Sequence, residues 1–280
     1  MTRIGIVGFG HLGKYLYEKL ENDKNFEIVF VWNRSEIRDC DSLDRKYVLT
    51  NLDDFIKHKV DFIIEVAHPV ISEKYGDKFL EHAHYVIGSP TALANQDTLN
   101  KLNAASAKFN KKIYVPCGAF WGANDIKKMA IQNTLKGLKI TMKKHHTSLK
   151  LEGSLKEKLE KQSNWDSPLV LYEGPVRNLC HLAPNNVNTM AVGALCAQNL
   201  GFDHVQACLV ADPNLTDKHV IEIEVTGPFN EKLNQNFKCT TVRSNPAIVG
   251  HVTGNQTYDS FYYSLLETLD DVNSFGIFVC

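Results

Sequence analysis

Residues 1–118 alternate short apolar runs with amphipathic stretches, and the first junction between them is built of glycine. RIGIVGF is an apolar run, and in HLGKYLYEKLEN the residues Leu12, Tyr15, Leu16 and Leu20 fall at helical spacing. FEIVFVW, DFIIEVA, HYVIGS and KIYVPCGA read as four further strands, at 26–32, 61–67, 84–89 and 112–119. Helices are expected over 53–58, 71–82 and 96–109. Strands separated by helices predict βαβ units and a parallel sheet. Near-continuous apolar strands fit a sheet covered on both faces.

The pattern changes after Ala119. A helix is expected over 124–135 and a half-exposed strand in LKITMKKH, 138–145. The lysine-rich segment 150–167 reads as an exposed, mobile excursion with no core of its own. PLVLYEG is a strand and 186–199 an alanine-rich helix; VQACLVADP, HVIEIEVTG and FKCTTVRS follow as closely spaced strands, which suggests an antiparallel sheet. A last helix is expected over 254–269, packing back on the first unit. The organisation is α/β: a doubly wound N-terminal domain over 1–118, then a smaller α+β domain over 119–253.

Composition narrows the function classes. A chain of 280 residues can bury a core without staples. A net charge of −1 offers no global field for nucleic acid or an anionic membrane. The seven cysteines form no CxxC pair, which argues against a disulfide framework or a zinc knuckle, and no metal site is expected. A strand pattern at the very start leaves no room for a signal peptide. No apolar run approaches a membrane span. The expectation is a soluble, cytoplasmic protein.

Gly8, Gly10 and Gly13 make GxGxxG between the first strand and the first helix, the context in which that spacing binds a dinucleotide. Gly8 permits the tight turn, Gly10 the approach of a pyrophosphate, and Gly13 close helix–strand packing. His11 and Leu12 share this loop, so they too are expected at the cofactor. A carboxylate usually follows about 20 residues on to hold the ribose 2′-hydroxyl. Here the second strand ends in Asn33, Arg34 and Ser35. An arginine fork pairs with a 2′-phosphate that a carboxylate would repel, which favours NADP over NAD. Ala67, His68 and Ser89 lie at the ends of the third and fourth strands, where ligands of open parallel sheets bind.

Chemistry needs further groups. Gly118 and Ala119, after the fifth strand, are small enough for a nicotinamide to approach the backbone. Cys117 beside them has no activating neighbour in sequence and reads as a buried bystander. Asn186 and Asn188 sit at a helix start, as caps or as amides that orient a carboxamide or carboxylate. His219 begins a strand and could move the proton that accompanies a hydride. His145 and His146, preceded by Lys143 and Lys144, read as an exposed strand end.

VGFGHLG, VFVWNRS, IEVAHP, GSPTAL, GAFWGANDI, TMKKH, LYEGPVRNLC, APNNVNTMA and LVADPNLTDKHVIEIEVTGP together resemble the L-aspartate dehydrogenase family, its animal members in particular, across essentially the whole chain. The resemblance implies a Rossmann domain and a second domain carrying substrate contacts and a homodimer interface. It implies oxidation of L-aspartate to iminoaspartate with NAD(P). The catalytic histidine of the family falls on His219 and its cofactor-contacting alanine on Ala119; its asparagine falls on Asn186 or Asn188. The same residues are compatible with a reductase of another small imine or carbonyl acid, or with an NADP(H)-binding redox sensor without turnover.

Overall fold

A computed structural model describes residues 1–37 and 43–268; Cys40, Cys280 and the end of the last expected helix lie outside the described residues. The chain runs β1 (Thr2–Val7), α1 (His11–Glu21), β2 (Phe26–Trp32), β3 (Val48–Leu49), β4 (Phe62–Glu65), α2 (Pro69–His82), β5 (His84–Ile87), α3 (Gln96–Phe109) and β6 (Ile113–Tyr114). It continues with α4 (Ala123–Ile131), β7 (Gly137–Lys144), α5 (Gly153–Glu160), β8 (Leu169–Pro175), α6 (Val176–Cys180), α7 (Asn188–Cys196) and α8 (Gly201–His204). Then come β9 (Gln206–Ala211), β10 (Lys218–Asn230), β11 (Gln235–Pro246) and α9 (Asn255–Glu267). None of the described helices is long and apolar enough to cross a membrane.

The first six strands form one sheet in the order β3-β2-β1-β4-β5-β6, with every pairing parallel. Helix α3 matches its expected limits because both ends carry signals. The Asn95 side chain accepts from the Thr98 N–H, and Asn110 closes the helix in the left-handed region at φ 50°. The expected helix over 53–58 is a 3-10 turn, Leu52–Lys57. Helix α9 returns to this sheet: Tyr15 bonds Asp259, Tyr262 donates to Asp23 at 3.2 Å, and Phe261 and Leu265 join the cluster under β1 and α1.

The other five strands form a second sheet, β11-β10-β7-β9-β8. It is mixed rather than antiparallel. β7 and β9 run parallel from Lys139↔Gln206 to Lys144↔Ala211, while β8, β10 and β11 pair antiparallel with their neighbours. The reason lies in the connection. The chain between β7 and β9 contains four helices and the edge strand β8, ample length for a crossover.

The lysine-rich segment also differs from its expectation. Within it α5 forms, and Leu151 and Leu155 are buried in the main core with Leu149 just before. Lys158 donates to the carbonyls of Val170 and Leu171 at 2.9 and 3.0 Å, fastening α5 to the β8 edge. Trp165 stacks on His146 at 4.1 Å. Three leucines buried against another element were indistinguishable in sequence from leucines of a solvated amphipathic stretch.

Helix α7 lies on the second sheet through Gly193. A Cβ there would stand 2.3 Å from the Ile140 side chain and 3.0 Å from Phe120. Gly193→Val should therefore overpack this contact and cost about 1–3 kcal/mol. A lower urea midpoint with an unchanged slope checks this; an unchanged midpoint would show that the contact is not tight.

Candidate active site

Strand order reverses between β1 and β4, and ligands of open α/β sheets bind beyond the strand ends at such a point. Gly8 sits there at φ +113°, and a Cβ on it would lie 2.7 Å from the Val66 carbonyl carbon. A Cβ on Gly13 would lie 2.1 Å from the Gly8 oxygen. Neither contact can relax, because both neighbours are backbone. Gly10 differs: nothing lies within 4 Å of its Cβ position. It caps α1 without a side-chain bond, so the first-turn N–H groups face open space. That is an anion cradle.

Asn33 braces this turn. Its side-chain oxygen accepts from the Phe9 N–H at 3.0 Å, and its amide donates to the Ser35 carbonyl at 3.0 Å. Arg34 and Ser35 are exposed at the end of β2, on the side where a ribose 2′ substituent would sit in such a fold. Asn33 thus holds the loop, and Arg34 is an exposed cation beside it.

Glu65 organises the next two loops, and sequence reasoning did not single it out. The side chain is fully buried at the end of β4. Oε1 accepts from the N–H groups of Ala67 and His68 at 2.7 and 2.8 Å and from the Ser89 hydroxyl at 3.0 Å. Oε2 accepts from the Ser89 N–H at 3.0 Å. Burial pushes the carboxyl up to about 7, against these four bonds, which favour the anion.

Two connected clefts meet these loops. The first is a groove lined by His11, Leu12, Ala67, Ser89, Asn188 and the 250–253 segment. The second is a chamber that shares Leu12, Asn188, Val252 and Thr253 with the groove and adds Gly118, Ala119, Lys144, Asn186 and His219. No Asp or Glu lines either one among the described residues. His68 is set apart. Its ring caps α2 by accepting from the Val70 N–H at 3.3 Å and faces a different cleft beside Glu152.

The chamber separates the two asparagines. Neither side chain caps α7, whose N-cap is Val187. Asn186 is buried and spent on structure: it accepts from the Lys150 N–H at 2.8 Å and donates to the Ser148 carbonyl at 3.1 Å. Asn188 lines both clefts, and its buried side-chain oxygen has no partner among the described residues. A buried unpaired amide oxygen is costly unless something else donates to it. A carboxamide N–H₂ from a nicotinamide fits that need, so Asn188 is the better placed of the pair. Together with the open face over Gly10 and the small Gly118–Ala119 turn, the residues present suit a dinucleotide.

His219 is 4% exposed on β10. Burial first, then the neighbouring Lys144, lower its pKa to about 4, so the ring is neutral at pH 7. Lys144 corrects the expectation of an exposed strand end. It is 4% exposed, donates to the Val252 and Asn186 carbonyls at 2.9 and 3.4 Å, and burial alone pulls its pKa down to about 7. Its signal was present in the β7 alternation: Leu138, Ile140 and Met142 face inward, and Lys144 continues that face. Lys143 points the other way and pairs with Glu222 at 2.6 Å. His145 and His146 turn away from the chamber, ring to ring at 4.1 Å. Cys117 borders the chamber, and burial raises its thiol pKa, which leaves it unreactive.

Residues 125–264 match the family model described as "Aspartate dehydrogenase, C-terminal", and residues 8–116 match that of a homoserine dehydrogenase NAD binding domain. An aspartate dehydrogenase domain-containing protein of Xenopus tropicalis is 50% identical over 267 residues, which cover 94% of this chain and 93% of the relative. An L-aspartate dehydrogenase of Methanocaldococcus jannaschii is 26% identical over 230 residues, covering 80% of this chain and 84% of that protein. The crystal structure of aspartate dehydrogenase from Thermotoga maritima, 22% identical, covers all of both chains at a TM-score of 0.69 and so has the same fold. The chain belongs to the aspartate dehydrogenase family of nicotinamide-dependent amino-acid dehydrogenases.

Proposed function

We propose that this chain oxidises L-aspartate to iminoaspartate, which hydrolyses to oxaloacetate and ammonia, or runs the reverse reductive amination. The observation that carries this reading is the chamber itself, where a buried neutral histidine, a buried lysine and an unpaired amide oxygen meet at the end of the glycine-turn groove. The family names of the relatives supply aspartate as the substrate.

The bound nicotinamide supplies a two-electron hydride acceptor. Gly8, Gly10, Gly13 and the start of α1 would hold its phosphates, and Glu65 keeps the Ala67 and Ser89 loops in place beside that cradle. Asn188 and the Gly118–Ala119 turn would orient the carboxamide end. His219, neutral at pH 7, takes one proton from the substrate ammonium. The freed nitrogen lone pair then forms the C=N bond as hydride leaves Cα. His219 can next hold the water that adds to the imine carbon. Met142, Val192, Ile221 and Phe261 line the chamber wall and limit its water. Arg34 favours NADP over NAD, and a homodimer through the exposed β11 edge would cover Phe237 and Val242, which are 52% and 63% exposed.

His219→Ala should lower kcat by about 10²–10⁴-fold while leaving cofactor affinity intact. NAD(P)H absorbance with aspartate, and with oxaloacetate plus ammonium, reads this directly. No turnover by the wild type in either direction would overturn the proposed activity. Arg34→Asp should weaken NADPH binding far more than NADH binding; equal loss of both would make Arg34 a bystander.

A further inference from the structure

We propose that Lys144 receives a carboxylate of the substrate, so that the chamber selects an acid by completing a buried ammonium to which the described residues offer no counter-ion. The inference deepens the dehydrogenase reading, on which it rests only for the identity of the acid.

Lys144 ends β7 opposite His219, since the register Val220↔Lys143 continues by one residue to that pair. An ammonium has three protons to donate. The Val252 carbonyl takes one well at 2.9 Å, and the Asn186 carbonyl takes another poorly at 3.4 Å. Neither carries a full charge. The groups that face Lys144 from the elements around it are His219 on β10, which His251 in turn neighbours, the Val252 carbonyl before α9, and the Asn186 carbonyl before α7; its β9 partner is Ala211. Neither histidine can act as a counter-ion. With no Asp or Glu lining the chamber among the described residues, the missing negative charge must come from what binds.

This makes binding proton-linked. Burial lowers the Lys144 pKa to about 7, so above that pH the unliganded amine is mostly neutral. A carboxylate beside it favours the charged form and raises the pKa again. Acid binding at pH 8 should therefore take up a proton. A lysine that only ties the 186 and 252 carbonyls together would show no such uptake.

The experiment is calorimetric titration of succinate, which is aspartate without its amine, into the full chain saturated with NADP. It is run at pH 8 in two buffers of different ionisation enthalpy. The wild type should take up close to one proton per succinate and bind the neutral succinamide far more weakly. Lys144→Met should lose the uptake and bind succinate at least tenfold more weakly. Lys144→Arg, charged at every pH used, should bind without uptake. Wild-type binding without uptake, uptake that persists in Lys144→Met, or no succinate binding at all would each overturn the assignment. Succinate binding with uptake but no turnover of aspartate would leave Lys144 in place and remove only the proposed reaction.

Discussion

The Glu65 carboxylate is the constraint on which the nucleotide half depends. It ends a central strand in the dry interior of the sheet, where a lone charge would be expensive. Its four bonds tie the loop after β4 to the loop after β5. The same loop after β4 presses against Gly8, whose Cβ position is filled by Val66 and Ala67 backbone. Turn, loop and carboxylate are therefore one packed unit. A buried charge whose every oxygen is satisfied costs less and orders more than a half-satisfied one.

The second half supplies the opposite arrangement. Its mixed sheet brings Lys144 and His219 side by side on an inward face, and burial lowers the proton affinity of both. Here the polar groups are left incomplete. Among the described residues the Asn188 side-chain oxygen lacks a donor, and Lys144 lacks an anion. Satisfied groups in the scaffold and unsatisfied ones in the chamber are what a binding site requires, because only the latter gain from a partner. The mixed pairing matters to this. Parallel β9 beside β7 places the small Ala211 next to Lys144.

Much of this was legible in the chain. The glycine turn, the alternation of strand and helix, and the asparagine-capped helix over Gln96–Phe109 rest on contacts between residues close in sequence. Residues distant in sequence were less readable. Whether 150–167 had a core depended on β8, which buries Leu155 and receives Lys158. Whether Asn186 or Asn188 faced a ligand depended on the backbone of 148–150, which claims the first and leaves the second open. Glu65 looked like one more residue of the strand over 61–67 until its donors, up to 24 positions away, were in place.

Local pattern thus determined the doubly wound nucleotide domain, its glycine cradle and the position of His219, because hydrophobic period and backbone permissiveness act over a few residues. The tertiary structure decided the electrostatics. Lys144 is one of a KKHH run in sequence, and only its place on an inward-facing strand strips it of water. Desolvation depends on everything that surrounds a group, and no window of sequence contains that information.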